Sequence, residues 1–150
     1  MGIAFKFQNP SGAEIKALLE RARTVAVLGL SEDPDRPSYS VAMYLQNCGY
    51  RIVPIRPGGG EILGEKVYST LSEVPFPVDV VDIFRRPSAV SAHVAEAVAA
   101  NVPAVWLQEG VIDDGAAERA RAAGLFVAMD RCILKEHRKA GLPSRPPPSK

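Results

Sequence analysis

The sequence is poor in residues that carry chemistry by themselves. It has two cysteines, two histidines and one tryptophan in 150 residues. Cys48 and Cys132 show neither metal-ligand spacing nor a disulfide framework. There is no Ser-His-Asp order, no zinc spacing and no Walker lysine, so the residues themselves do not argue for an enzyme. No apolar run approaches the roughly 20 residues of a membrane-spanning helix. The N-terminus, MGIAFKFQNP, lacks the apolar core of a secretory signal, and no Ser or Thr follows Gly2 where myristoylation favours one. Neither sign of charge dominates: 18 Lys and Arg against 17 Asp and Glu leave a net charge of +1. That removes the electrostatic case for nucleic acid or anionic membrane as the main partner. There is no internal repeat. A cytoplasmic globular chain of one domain is the simplest reading.

What is present is alternation. Short apolar runs at Val25–Leu28, Tyr50–Ile55, Val78–Phe84, Ala104–Gln108 and Leu125–Met129 read as strands buried on both faces. Helical spacing separates them. Ser11 with Glu14 forms a capping box for a helix running to about Arg23. Further helices are expected over Pro37 to Asn47, with Gly49 at a left-handed end, from Arg85-Arg86-Pro87-Ser88 to about Ala100, and from Asp113 or Asp114 to Gly124. A last short one begins near Asp130. The segment after Arg56-Pro57-Gly58-Gly59-Gly60 reads as an extended excursion around Gly64 and one helical turn near Thr70 to Val74. Residues 1–10 read as an extended arm, and the proline-rich LPSRPPPSK end as a disordered tail that does not join the core. Five alternations predict an α/β fold: a single Rossmann-like, doubly wound, five-stranded parallel sheet with helices on both faces.

In such sheets ligands bind beyond the carboxyl ends of the strands, at the switch point. The first such loop, GLSEDPDRPSYS, has only Gly29 where a dinucleotide fingerprint has three glycines. Leu30 follows, and the loop offers Ser31, Ser38, Tyr39 and Ser40 as side-chain donors and Arg36 as a cation beside a helix N-terminus, which favours phosphate. The plain alternative is an ordinary loop with Arg36 paired to Asp33 or Asp35. Arg56 ends the second strand where an NAD site carries an acid, so it suits an extra ribose phosphate, or else is simply exposed. Phe84 and Arg85 end the third strand, the one to flank an adenine and the other to serve a phosphate or meet water. Trp106 and Gln108 end the fourth, with Trp106 either core or contact. Of Asp79 and Asp82, one is expected buried and paired. Cys132 either faces the crevice or is a small buried hydrophobe. Neither histidine falls at a strand end.

Five blocks in order resemble one family: VLGLSEDPDRPSYSVAMYLQNCGYRIVPIRP, EILGEKVYSTLSEVP, VDVVDIFRRP, VWLQEG and AGLFVAMDRCILKEH. The chain resembles the small stand-alone CoA-binding proteins, whose fold is similar to the CoA-binding domain of the succinyl-CoA synthetase α-subunit. The resemblance implies a CoA-binding domain over residues 1–140, a tail over 141–150, and coenzyme A, or an acyl-CoA, lying across the strand ends. It implies phosphates against Gly29 to Ser38 with Arg36 and Ser38 at the pyrophosphate, Arg56 at the 3′-phosphate, and Phe84 and Arg85 beside the adenosine. The pantetheine arm is implied to run toward Trp106 and Gln108. One position departs from the family's pattern: Arg56 stands where Asn is usual. The synthetases' phosphohistidine has no counterpart, so the resemblance implies a carrier, sensor or partner module, alone, with a protein partner or as a homo-oligomer. Three alternatives stay open at this point: an NADP-linked oxidoreductase, a CoA-dependent acyl transfer through Cys132, and a purely structural or interaction domain whose groove stays empty.

Overall fold

The computed structural model describes residues 6–148. Strand β1 (Thr24–Leu28) lies between β2 (Arg51–Ile55) and β5 (Val80–Ile83), and β6 (Ala104–Leu107) and β7 (Phe126–Met129) extend the sheet in the order β2-β1-β5-β6-β7, every neighbour parallel. Side chains alternate between the two faces along each strand. Val25 and Val27 join one apolar cluster while Ala26 and Leu28 join the other. The first face is covered by α1 (Gly12–Arg21), α2 (Pro37–Asn47) and α5 (Ile133–Ala140), which contribute Leu18, Leu19, Leu45 and Ile133. The second is covered by α3 (Pro87–Ala99) and α4 (Asp114–Ala122), through Val90, Val94, Ala116 and Ala120. This is the expected doubly wound sheet. The glycine-containing excursion is a two-stranded hairpin, β3 (Glu61–Ile62) with β4 (Glu65–Lys66), turned at Leu63 and Gly64, both with positive φ. A 3-10 turn follows at Leu71–Glu73.

Each sheet edge is covered at its carboxyl end by a single residue, which shortens the stretch open to strand pairing. Beside β2, Tyr68 donates its N–H to the Pro54 carbonyl and accepts from the Arg56 N–H, at 3.0 and 2.9 Å. Beside β7, the Asn9 side-chain amide acts as a one-residue strand, donating to the Met129 carbonyl at 2.9 Å and accepting from its N–H at 2.8 Å. The described part of the N-terminal arm is thus docked, and Phe7 is buried with it. The first five residues of that arm lie outside the described residues.

The carboxyl-terminal end differs from expectation. Arg145 donates to the carbonyls of Glu20 and Ala22 at 2.6 and 2.8 Å, and its backbone N–H donates to the Cys48 carbonyl at 3.0 Å. Its guanidinium lies over the Tyr50 ring, 4.9 Å from the centroid. Gly49 has φ +102, and a Cβ there would come within 2.1 Å of the Arg145 carbonyl oxygen. One arginine supplying carbonyl bonds and ring contact seats a proline-rich segment whose composition alone argues against packing.

Candidate functional site

The order in which strands are added reverses across the β1–β5 boundary: β1 leads through α2 to β2 on one side, and β5 through α3 to β6 on the other. The loops leaving β1 and β5 therefore part at their carboxyl ends and leave a crevice. Two hollows, of about 270 and 130 Å³, open there and share Gly29, Arg56, Pro57 and Arg85. One arm of the cleft reaches Leu30 and Ser31 toward the start of α2. The other reaches Ser69, Thr70, His93 and Glu96 over a floor of Leu28 and Ile55. A larger hollow of about 530 Å³ lies at the opposite end of the sheet, around Phe76, Asp79 and Asn101. It is away from the switch point.

Local chemistry shapes the first arm. The loop after Gly29 is built from short polar turns in place of glycines. Ser38 Oγ accepts from the Ser31 N–H at 3.0 Å, Ser31 Oγ from the Asp33 N–H at 3.0 Å, and Asp33 Oδ1 from the Asp35 N–H at 2.9 Å. The helices that begin on either side of the cleft both start Arg-Pro-Ser, and neither has a side-chain cap. By contrast, α1 and α4 are capped by Ser11 and Asp113. Uncapped helix starts keep backbone donors and partial positive charge available. Arg56 is held at the rim by Glu32 at 3.6 Å. Among the described residues, no carboxylate is within ion-pair distance of Arg85, although it lines both arms.

With this geometry in view, comparison with known proteins is informative. The profile described as CoA binding domain matches residues 23–138. The chain belongs to the CoA binding domain family. Over 130 residues it is 40% identical to the uncharacterized protein YneT of Bacillus subtilis (strain 168), covering 87% of this chain and 96% of that protein. The solved structure of cell-free ID.343 from Thermus thermophilus is 40% identical, with a TM-score of 0.82 over 87% of this chain and 99% of that one. A hypothetical protein from Pyrococcus horikoshii OT3 is 29% identical, with a TM-score of 0.86 over 95% and 100% of the two chains.

Within this CoA binding domain, Gly29, Leu30, Ser31, Arg56 and Arg85 come together around the cleft. Ser38 stands behind them, buried, holding the loop. Arg36 is not brought in: it is exposed and lies 4.0 Å from Asp33, the plain alternative for that residue. Tyr39 and Phe84 are partly buried against the α1/α2/α5 layer, Phe84 meeting Gly29 through its backbone. Trp106 requires a correction. Its ring has no exposed surface, and its Nε1–H donates to the Arg131 carbonyl at 2.8 Å, so it fixes the turn into α5 and offers nothing to a pantetheine arm. Gln108 is also buried, with Oε1 accepting the Ile133 N–H at 2.9 Å at the start of α5.

The buried and the paired aspartate are different residues. Asp79 Oδ2 accepts from the N–H groups of Arg23 and Thr24 at 2.8 and 2.9 Å. Asp82 is fully buried with no partner for either oxygen among the described residues, and burial pushes its carboxyl well above the usual carboxylate range. His137 is turned away from the cleft. Its Nδ1 lies 2.8 Å from the Tyr44 hydroxyl and 3.9 Å from Cys48 Sγ, and burial, with Arg145 nearby, holds its pKa below the usual value. Cys132 is half-buried at the start of α5.

Ser69, Thr70, His93 and Glu96 line the cleft without having been read as site residues. The signal for two of them was present: His93 and Glu96 are the only titratable side chains in α3, each one residue before a member of its buried stripe, Val94 and Ala97.

Proposed function

We propose that the protein binds coenzyme A or an acyl-CoA across the switch point, as a carrier, sensor or partner module. Family membership supplies the ligand class, and the observation that carries the reading is Arg85 lining both arms of the cleft with no carboxylate within ion-pair distance among the described residues. The arm toward α2 takes the diphosphate against Gly29, Leu30 and Ser31. Arg56 meets the ribose 3′-phosphate, which replaces the Glu32 carboxylate on a cation already held in position. The adenosine enters the second arm, and the pantetheine leaves toward the carboxyl ends of β6 and β7.

Thermal unfolding with CoA, acetyl-CoA, NADP and NAD tests this directly. CoA and acetyl-CoA at 100 times their Kd are expected to add about 2.7 kcal/mol, raising the Tm by roughly 5–10 °C, with acetyl-CoA recovered intact. Arg85→Ala is expected to weaken CoA binding about tenfold to a hundredfold, the loss of a charge-assisted phosphate contact. A shift with NADP alone would replace CoA as the ligand. Consumption of acetyl-CoA would replace the module with an enzyme.

A further inference from the structure

The two arms of the cleft differ in charge, and the difference selects what each can hold. The arm toward α2 is lined by Gly29, Leu30, Ser31, Arg56, Pro57 and Arg85, with no carboxylate in the lining and the exposed Glu32 outside it, 3.6 Å from Arg56 at the rim. The second arm keeps the same two arginines at its mouth but adds one carboxylate, Glu96. Its Oε1 lies 3.8 Å from His93 Nδ1, one turn earlier on α3, and both side chains are half-buried. A second phosphate in this arm would face Glu96 at close range, so the arm disfavours anions. Its floor is apolar, Leu28 and Ile55, and its volume of about 130 Å³ has room for one flat heteroaromatic ring. A carboxylate accepts hydrogen bonds and donates none. The group that satisfies it is therefore a ring-borne donor.

We infer that Glu96 selects the base of the ligand: its carboxylate accepts a hydrogen bond from the exocyclic amino group of a 6-aminopurine and rejects a 6-oxopurine. This rests on the CoA reading and deepens it. An oxo group at that position places a carbonyl oxygen against the carboxylate, two acceptors with no proton between them. Sites built to bond one polar group discriminate strongly against the analogue that lacks it. Glu96 is then a specificity residue.

The test compares CoA with its hypoxanthine analogue by isothermal titration, on wild type and on Glu96→Gln. Wild type is expected to bind CoA about tenfold to a hundredfold more tightly than the analogue. In Glu96→Gln the amide carbonyl accepts from the amino group and the amide NH2 donates to the oxo group, so the ratio falls close to one. The ratio is internal to each protein, so a general loss of stability does not imitate it. A preference retained in Glu96→Gln, or equal binding of the two ligands by wild type, overturns the inference and leaves CoA binding standing. No binding of either ligand by wild type overturns both.

Discussion

Gly29→Ala is expected to destabilise the protein by about 2–6 kcal/mol and to disrupt the cleft. Gly29 has φ +84, a conformation that costs any other residue strain. Space is the larger problem. A Cβ would stand 2.3 Å from the Phe84 carbonyl oxygen and 2.8 Å from Arg85 Cδ. The Phe84 oxygen belongs to the backbone leaving the neighbouring strand, tied to β1 by the Phe84 N–H to Leu28 carbonyl bond at 2.9 Å. No rotamer change relieves it, so the two strand ends must part. Arg85 can move, but only by withdrawing from the cleft it lines. Gly110→Ala is the control. Its φ is +85, but no atom lies within 4 Å of its Cβ position. It is expected to lose about 1–3 kcal/mol of stability, from backbone strain alone, and to keep ligand binding. Urea unfolding with a CoA titration reads both effects. A Gly29→Ala protein that unfolds like wild type and binds CoA equally well would show that the contact between the β1 and β5 loops is unimportant.

How far the sequence foretold this arrangement depended on how local each determinant is. The strands were legible because a parallel sheet buried on both faces demands short unbroken apolar runs. Helix starts were legible where one side chain does the capping, as with Ser11 and Asp113. Gly29 and Arg56 were legible because a doubly wound topology sends strand ends to one place. What failed depended on contacts distant in sequence. Trp106 and Gln108 stand at a strand end, but the Trp106 Nε1–H and the Gln108 Oε1 are taken by Arg131 and Ile133 of the following turn. Arg145 seats the tail on carbonyls more than 120 residues away. His93 and Glu96 belong to a helix whose apolar stripe hid its flank, and only the fold shows that this flank faces the cleft.

Asp82 makes a second large effect measurable. It sits in β5 between Val27 of β1 and Trp106 of β6, fully buried with neither oxygen hydrogen-bonded among the described residues. Burial of an unpaired carboxyl favours its neutral form, so its pKa is raised in the folded state. The sign follows. Below the unfolded-state value of about 3.9 both states are protonated and the residue costs nothing by titration. Above it the unfolded chain releases the proton while the folded chain keeps it. Asp82 therefore lowers stability as pH rises, by about 1.4 kcal/mol per pH unit, until the folded-state value is reached. Asp82→Asn keeps the shape and abolishes the titration. Its stability relative to wild type is expected to increase as pH rises above about 4, at about that slope until the folded-state value is passed, read by urea unfolding at each pH. Parallel profiles for the two proteins would mean that the carboxyl is paired or hydrated after all. Asp82 lies two residues before Phe84 and three before Arg85, so the same variant asks why a destabilising acid occupies a central strand. If Asp82→Asn is more stable and binds CoA as wild type does, the acid serves nothing in the cleft. If it is more stable and binds worse, the strand end that presents Arg85 depends on this carboxyl, and stability has been exchanged for the geometry of the site.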